Sequence, residues 1–178
     1  MALIHTSRLR LRSAVREDLD ALHEILSNPQ ATRYWSTPPH ADVARTEAWL
    51  QAMLDIPPAA GEDFIVEHEG KVIGKAGLYR FPEIGFIFHP DQWRRGLAGE
   101  ALEAVIARAF NKHELSAMVA DVDPRNVASL RLLHRLGFRE TGRRTRAWLV
   151  GDEWCDSIDL ALTRTAWLGR SREHGVRP

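Results

Sequence analysis

The stretch EIGFIFHPDQWRRGLAGEA, residues 83–101, constrains this chain more than any other. It reads as an apolar strand, a loop broken at Pro90, and a short basic turn with Gly96 and Gly99 that opens a long helix. That order suits a pyrophosphate. Small residues let the backbone approach phosphate oxygens, amides at a helix start lack intrahelical acceptors, and the helix dipole favours negative charge. An ordinary loop ahead of a core helix has the same outline, so the surrounding pattern has to decide.

That pattern alternates strand and helix. Leu9 and Leu11 interleave with Arg8, Arg10 and Arg12 at period two, which predicts a strand whose arginine stripe is a solvated face. Leu19, Leu22, Ile25 and Leu26 then repeat at helical spacing up to Asn28-Pro29. A polar and aromatic loop, residues 32–39, precedes a second amphipathic helix carrying Thr46, Trp49, Leu50 and Met53. Glu69-Gly70 joins strands 64–68 and 71–79 in a tight hairpin, and Phe81-Pro82 turns the chain into the strand 83–88. The helix from Gly96 to Phe110 is apolar almost all round, which predicts cover on more than one side. A strand over 115–122 follows, then a helix on Val127, Leu130, Leu133 and Leu136 stopped by Gly137. Strands 143–150 and 154–162, joined at Gly151-Asp152, close the pattern. The expectation is one mixed α/β domain over 1–168 with a loose polar tail over 169–178.

Composition narrows the function classes. Lys plus Arg and Asp plus Glu both number 24, so no net field draws the 178-residue chain to nucleic acid or an acidic membrane. One cysteine, Cys155, excludes a disulfide framework. No apolar run is long enough to span a bilayer, so a cytoplasmic location is expected. Eight histidines are scattered without ligand spacing, so no metal is expected. Residues 70–76 imitate a P-loop, but the glycine spacing is wrong and no Ser or Thr follows Lys75.

Taken in order, TSRLRLR (6–12), RYW (33–35), VIGKAGL (72–78), EIGF (83–86), WRRGLAGEA (93–101) and NVASLRLLHRLGF (126–138) resemble the GNAT superfamily of acyl-CoA-dependent N-acetyltransferases. Within it they look most like the RimJ/RimL-like branch related to ribosomal-protein alanine N-acetyltransferases. The resemblance covers residues 6–167. It implies the GNAT fold: a central twisted mixed sheet flanked by helices, with strands splayed at the cofactor site.

It also implies a binding scheme for acetyl-CoA. Backbone groups of Phe86, Ile87 and Phe88 would pair with the pantetheine arm. Arg94 and Arg95 would neutralise phosphate, while the amides of Gly96, Leu97, Ala98 and Gly99 would cradle it. Trp93 stands where the wider family has Gln or Arg, and Gly99 where this branch often has Thr. Asn126 would hold the pantetheine amides, with helix capping as its plainer role. Tyr34 and Trp35 would line the acceptor site with Trp49, Trp148 and Trp154.

The implied reaction moves an acetyl group to a primary amine by direct attack in a ternary complex. The acceptor is either a protein N-terminus or a small-molecule amine. An amine of pKa about 10 arrives protonated, so a carboxylate is useful as base. Glu83 is the candidate, with Asp121 and Asp123 as rivals. The carbonyl would be polarised by the amide of Ile87 or Phe88. Many such enzymes place a Tyr where this chain has Leu133. Ser129 is the substitute proton donor, ahead of His134, against a plain helix hydroxyl bonded to its own backbone. The missing Tyr also fits a non-catalytic module that binds CoA or a protein partner. A homodimer through the late strands is a further implication.

Overall fold

Alternation from Leu9 to Arg12 does form a strand. In the computed structural model, which describes residues 3–173, it is β2 (Leu9–Arg12), preceded by a short β1 (Leu3–His5). Leu9 and Leu11 are buried on one face, as a period of two requires. The described residues form two compact units, one ending at Ile106 and the other beginning at Ala107.

In the first unit β1, β2, β3 (Glu62–His68), β4 (Lys71–Arg80) and β5 (Glu83–Phe88) lie in that order, each antiparallel to the next. Glu69 and Gly70 both adopt positive φ, 52° and 76°, the left-handed pair that a two-residue hairpin needs. The two predicted helices are α1 (Leu19–Leu26) and α2 (Val43–Leu54). The Asp42 side chain caps α2 by accepting from the Arg45 N–H. Leu22, Ile25 and Leu26 meet Leu50, Met53, Ile65 and Ile87 in one core, with Trp35 and Trp49 packed at its edge. The helix after the Gly-bearing loop is α3 (Leu97–Lys112), which buries Leu97, Ala101, Leu102, Val105 and Ile106.

Arg8 and Arg10 of the β2 stripe are exposed, as a solvated face requires, but Arg12 is drawn into an ion-pair network. Arg12 grips Asp18 with two hydrogen bonds, of 2.8 and 2.6 Å, and donates to Glu67 at 2.7 Å, while Arg10 reaches the other Glu67 oxygen at 3.1 Å. Asp18 is 3% exposed, and the Arg12 guanidinium compensates the charge of the buried pair. The hydrogen bond to Asp18 raises the guanidinium pKa above its ordinary value, and burial opposes that rise.

In the second unit β6 (Ala117–Val122), β8 (Glu153–Thr163) and β7 (Arg139–Val150) are neighbours in that order, again antiparallel. α4 (Val127–Arg135) lies between β6 and β7 in sequence and ends before Gly137, whose φ is 99°. Leu133, Leu136, Phe138, Leu160 and Leu162 are all buried. β7 begins at Arg139, earlier than the expected residue 143, because register shifts between Glu140 and Gly142 hide its alternation. The tail expected to be loose from residue 169 is helical through α5 (Arg164–Glu173). Arg170 anchors it by donating to the Leu136 carbonyl and lying 5.3 Å from the Trp167 ring. Residues 174–178 of that expected tail lie outside the described residues. No helix among the described residues is long and apolar enough to cross a membrane.

The Asp18 network gives a direct stability prediction. Asp18→Asn leaves the Arg12 guanidinium half-paired in a buried setting and is expected to cost about 3 kcal/mol in urea unfolding. An unchanged midpoint would show that the network does not stabilise the fold.

Candidate functional site

Between β5 and α3 the backbone is shaped from beneath. A 3-10 turn covers Pro90–Gln92, and the following residues place Arg94 at φ 60° and Gly96 at φ 77°. Arg8 lies under this loop. Its Nη1 donates to the Arg95 carbonyl at 2.9 Å, and its Nε to Glu100 Oε2 at 2.7 Å. Glu100, in the first turn of α3, also accepts from the Thr6 hydroxyl (2.5 Å), the Ser7 hydroxyl (3.0 Å) and the Arg8 N–H (2.9 Å). These bonds hold its carboxyl at about pKa 2: burial alone would raise it, and the donors outweigh burial.

The consequence is directional. In a trans peptide the carbonyl and the next N–H point opposite ways. Holding the Arg95 oxygen towards Arg8 turns the Gly96 N–H away from it. The first helical bond runs from the Glu100 N–H to the Gly96 carbonyl at 3.1 Å, so the amides of Leu97, Ala98 and Gly99 precede the ladder. A side chain at Gly96 would meet Arg8 Nη2 at 3.4 Å in a backbone conformation that L residues avoid. Arg95 is tethered to Gln92 at 2.6 Å; Arg94 is exposed and forms no ion pair among the described residues. The row 96–99, with Arg94 beside it, is a run of amides at a helix start next to a cation, a geometry that suits an anion.

The parity of β5 modifies the expectation for residues 86–88. The His89 N–H donates to the Ile73 carbonyl at 2.9 Å, and Lys75 pairs with Ile87, Gly77 with Gly85. Backbone groups alternate between the two edges of an antiparallel strand. Gly85, Ile87 and His89 therefore spend theirs on β4, while Phe86 and Phe88 turn theirs to the opposite edge. Ile87 is thus not a free pairing residue. The Phe88 carbonyl accepts the Trp93 indole N–H at 3.0 Å.

The acids differ in how much freedom they keep. Glu83 opens β5, with one oxygen 2.5 Å from Arg80 Nη2. Asp121 is heavily engaged: Oδ2 accepts from Arg144 (2.5 Å) and the Trp148 indole (2.7 Å), and Oδ1 accepts the Ser157 hydroxyl. Burial disfavours the Asp123 charge, but side-chain and backbone hydrogen bonds from Arg125 overcome that and lower its pKa. Both rivals already accept several hydrogen bonds, three at Asp121 and four at Asp123, where Glu83 accepts one from Arg80. In the second unit, Asn126 caps α4 by accepting the Ser129 N–H at 3.1 Å, so capping is part of its role and its amide N–H2 remains. The Ser129 hydroxyl makes no hydrogen bond among the described residues, contrary to the plain helix reading. His134 Nδ1 is committed to the Phe138 carbonyl at 3.2 Å.

Sequence reasoning missed the roles of Arg8 and Glu100, although both sit inside quoted motifs. It also missed Lys75 and Asp63. Trp35 and Trp49 do flank one spot, but a buried lysine fills it: Lys75 Nζ is 2.8 Å from Asp63 Oδ2. Tyr34 faces the Arg33 guanidinium at 5.2 Å. Trp148 and Trp154 lie exposed on the β7–β8 hairpin.

With this geometry in hand, known proteins are informative. The model of the acetyltransferase (GNAT) domain matches residues 8–139. An uncharacterized N-acetyltransferase, p20 of Bacillus licheniformis, is 31% identical over 151 residues, spanning 80% of this chain and 85% of that protein. Spermidine N(1)-acetyltransferase of Escherichia coli K12 is 24% identical over 174 residues, 94% and 92% of the two chains. The solved structure of RimL, a ribosomal L7/L12 alpha-N-protein acetyltransferase in complex with coenzyme A, superposes with a TM-score of 0.83 at 18% identity, covering 93% of this chain and 99% of that one. At that identity the RimL likeness is one of fold. This chain belongs to the GNAT acetyltransferase family and is an N-acetyltransferase with the mixed α/β GNAT fold.

Glu100 supplies a pH test. Its folded pKa lies below the unfolded value of 4.5, so its stabilisation is present above pH 4.5 and is lost as pH falls towards about 2. Glu100→Gln is expected to unfold about 1–3 kcal/mol more easily at pH 7. Urea midpoints should converge with those of the parent protein between pH 4.5 and 2; a pH-independent gap would contradict the assignment.

Proposed function

We propose that the chain is an acetyl-CoA-dependent N-acetyltransferase acting by direct attack of a primary amine, with residues 1–168 as its catalytic domain. The observation that carries the reading is the outward row of amides at 96–99, with the cationic Arg94 alongside. The residues fit the cofactor. The amides of Gly96, Leu97, Ala98 and Gly99, with Arg94 and Arg95, would hold the pyrophosphate. The far edge of β5 at Phe86 and Phe88 would pair with the pantetheine arm, as would the Asn126 side-chain N–H2. Bound there, acetyl-CoA supplies an activated acetyl thioester.

The remaining roles belong to side chains and amides of this chain. Glu83 takes the proton of the incoming ammonium, since its second oxygen is not engaged by Arg80. The Phe88 N–H, turned away from β4, polarises a carbonyl better than that of Ile87, which faces β4. Ser129 holds a proton on a hydroxyl with no competing bond, at a helix position where Leu133 offers none. The acceptor is a protein N-terminus, as the RimJ/RimL-like motifs favour, or a small-molecule amine. Burial of Leu133 in the place of a Tyr donor favours one second reading, a module that binds CoA without turnover.

Acetyl transfer from acetyl-CoA to an amine panel separates the two. Glu83→Gln and Ser129→Ala are each expected to lower kcat about 10²-fold while CoA raises the melting temperature of all three proteins alike. A CoA-dependent melting shift with no transfer, or with rates indifferent to both substitutions, would favour the binding module.

A further inference from the structure

Three aromatic rings converge on one buried ammonium. Lys75 Nζ lies 5.6 Å from the ring centroid of Trp35, 6.0 Å from Trp49 and 5.7 Å from Tyr79, and its salt bridge to Asp63 closes the fourth side. Lys75 is 2% exposed and the Asp63 side chain 3%. Rings plus a carboxylate are the means by which proteins bind a free ammonium ligand. Here the ammonium is part of the chain.

Neighbouring strands are cut back to admit it. Gly77 and Gly85 face each other across β4 and β5. A Cβ on Gly77 would fall 2.5 Å from Asp63 Oδ1, and one on Gly85 would touch Lys75 Nζ at 3.7 Å. The ammonium therefore stands over β5, on the face that Glu83, Gly85 and Ile87 share by period two. Stability does not account for it, because an apolar pair of similar volume serves a core as well or better.

A second observation concerns the loop after α1. Trp35 Nε1 and Thr37 Oγ1 are buried with no hydrogen-bond partner among the described residues. An indole N–H donates only, so its missing partner is an acceptor atom, and an alkylammonium has none. The filled cage and the unpaired donor exclude the same ligand class.

We infer that this cage selects the acceptor by charge. Lys75 occupies the place of a second ammonium and turns polyamines away. The Trp35 and Thr37 groups receive the oxygen of a carbonyl or carboxylate next to the reactive amine. The acceptor is then an α-amino carbonyl, either a free amino acid or the first residue of a peptide. This rests on the acyltransferase reading above and separates the chain from its spermidine-acetylating relative despite their similarity.

The test measures kcat/KM for spermidine, L-methionine and a seryl tripeptide with the parent protein, Lys75→Met and Trp35→Phe. The parent is expected to prefer methionine or the tripeptide over spermidine by at least about ten-fold, the arm preferred naming the source. Lys75→Met, which leaves Asp63 and three rings for a guest cation, should raise the spermidine value about ten-fold. Trp35→Phe keeps the ring and removes the donor. It should raise KM for the preferred arm several-fold without changing spermidine, and it remains informative should Lys75→Met not fold. A parent protein that favours spermidine, or a Trp35→Phe variant with unchanged selectivity, overturns the inference. Transfer to none of the three would instead remove the acyltransferase reading beneath it.

Discussion

The guanidinium of Arg8 decides which way one peptide faces, and the site depends on that choice. By holding the Arg95 carbonyl from below, it directs the Gly96 N–H to the other side, in line with the helix-start amides that follow. Glu100 makes the arrangement stiff. It draws four donors from Thr6, Ser7 and Arg8 onto one carboxylate, fastening the segment before β2 to the first turn of α3. The N-terminal segment thus shapes the loop by donating to the Arg95 carbonyl and the Glu100 carboxylate.

Charge is used differently in the two units. In the first, buried cations are each matched to a dedicated carboxylate: Arg12 to Asp18, Lys75 to Asp63. Such pairs are costly to break and add little net stability, so their value lies in fixing geometry. In the second, Arg144 bridges Asp121 and Asp159 on an exposed sheet face, and Arg125 bridges Asp123 and Glu153. Those exposed clusters tie strands together but also use up the carboxylates that a proton-transfer role would need.

Much of this was readable from residues alone, where local chemistry carries the signal. Glu69-Gly70, the Leu and Ile spacing of α1, and Gly137 after α4 announce their structures because turn and helix preferences act over a few residues. The loop at 93–99 was legible for the same reason. What escaped depends on partners distant in sequence. The engagement of Asp121 comes from Arg144, Trp148 and Ser157, and the unsuitability of Ile87 follows from a register set by Ile73 and His89. The Lys75 cage needs Trp35, Trp49, Asp63 and Tyr79 together, and no periodicity links them. β1 is too short to show a period, and the apolar residues of α5, Ala166 to Leu168, are consecutive and show no helical repeat, its helix being held by Arg170 and Trp167.

The most direct measurement is an amide NMR titration of the protein with coenzyme A and, separately, with pantetheine, which lacks the pyrophosphate. The account predicts that coenzyme A shifts the Gly96, Leu97, Ala98 and Gly99 amides strongly downfield, that pantetheine leaves them in place, and that Arg8→Met abolishes the Gly96 shift first. Equal responses to both ligands, or a Gly96 shift indifferent to Arg8, would contradict it.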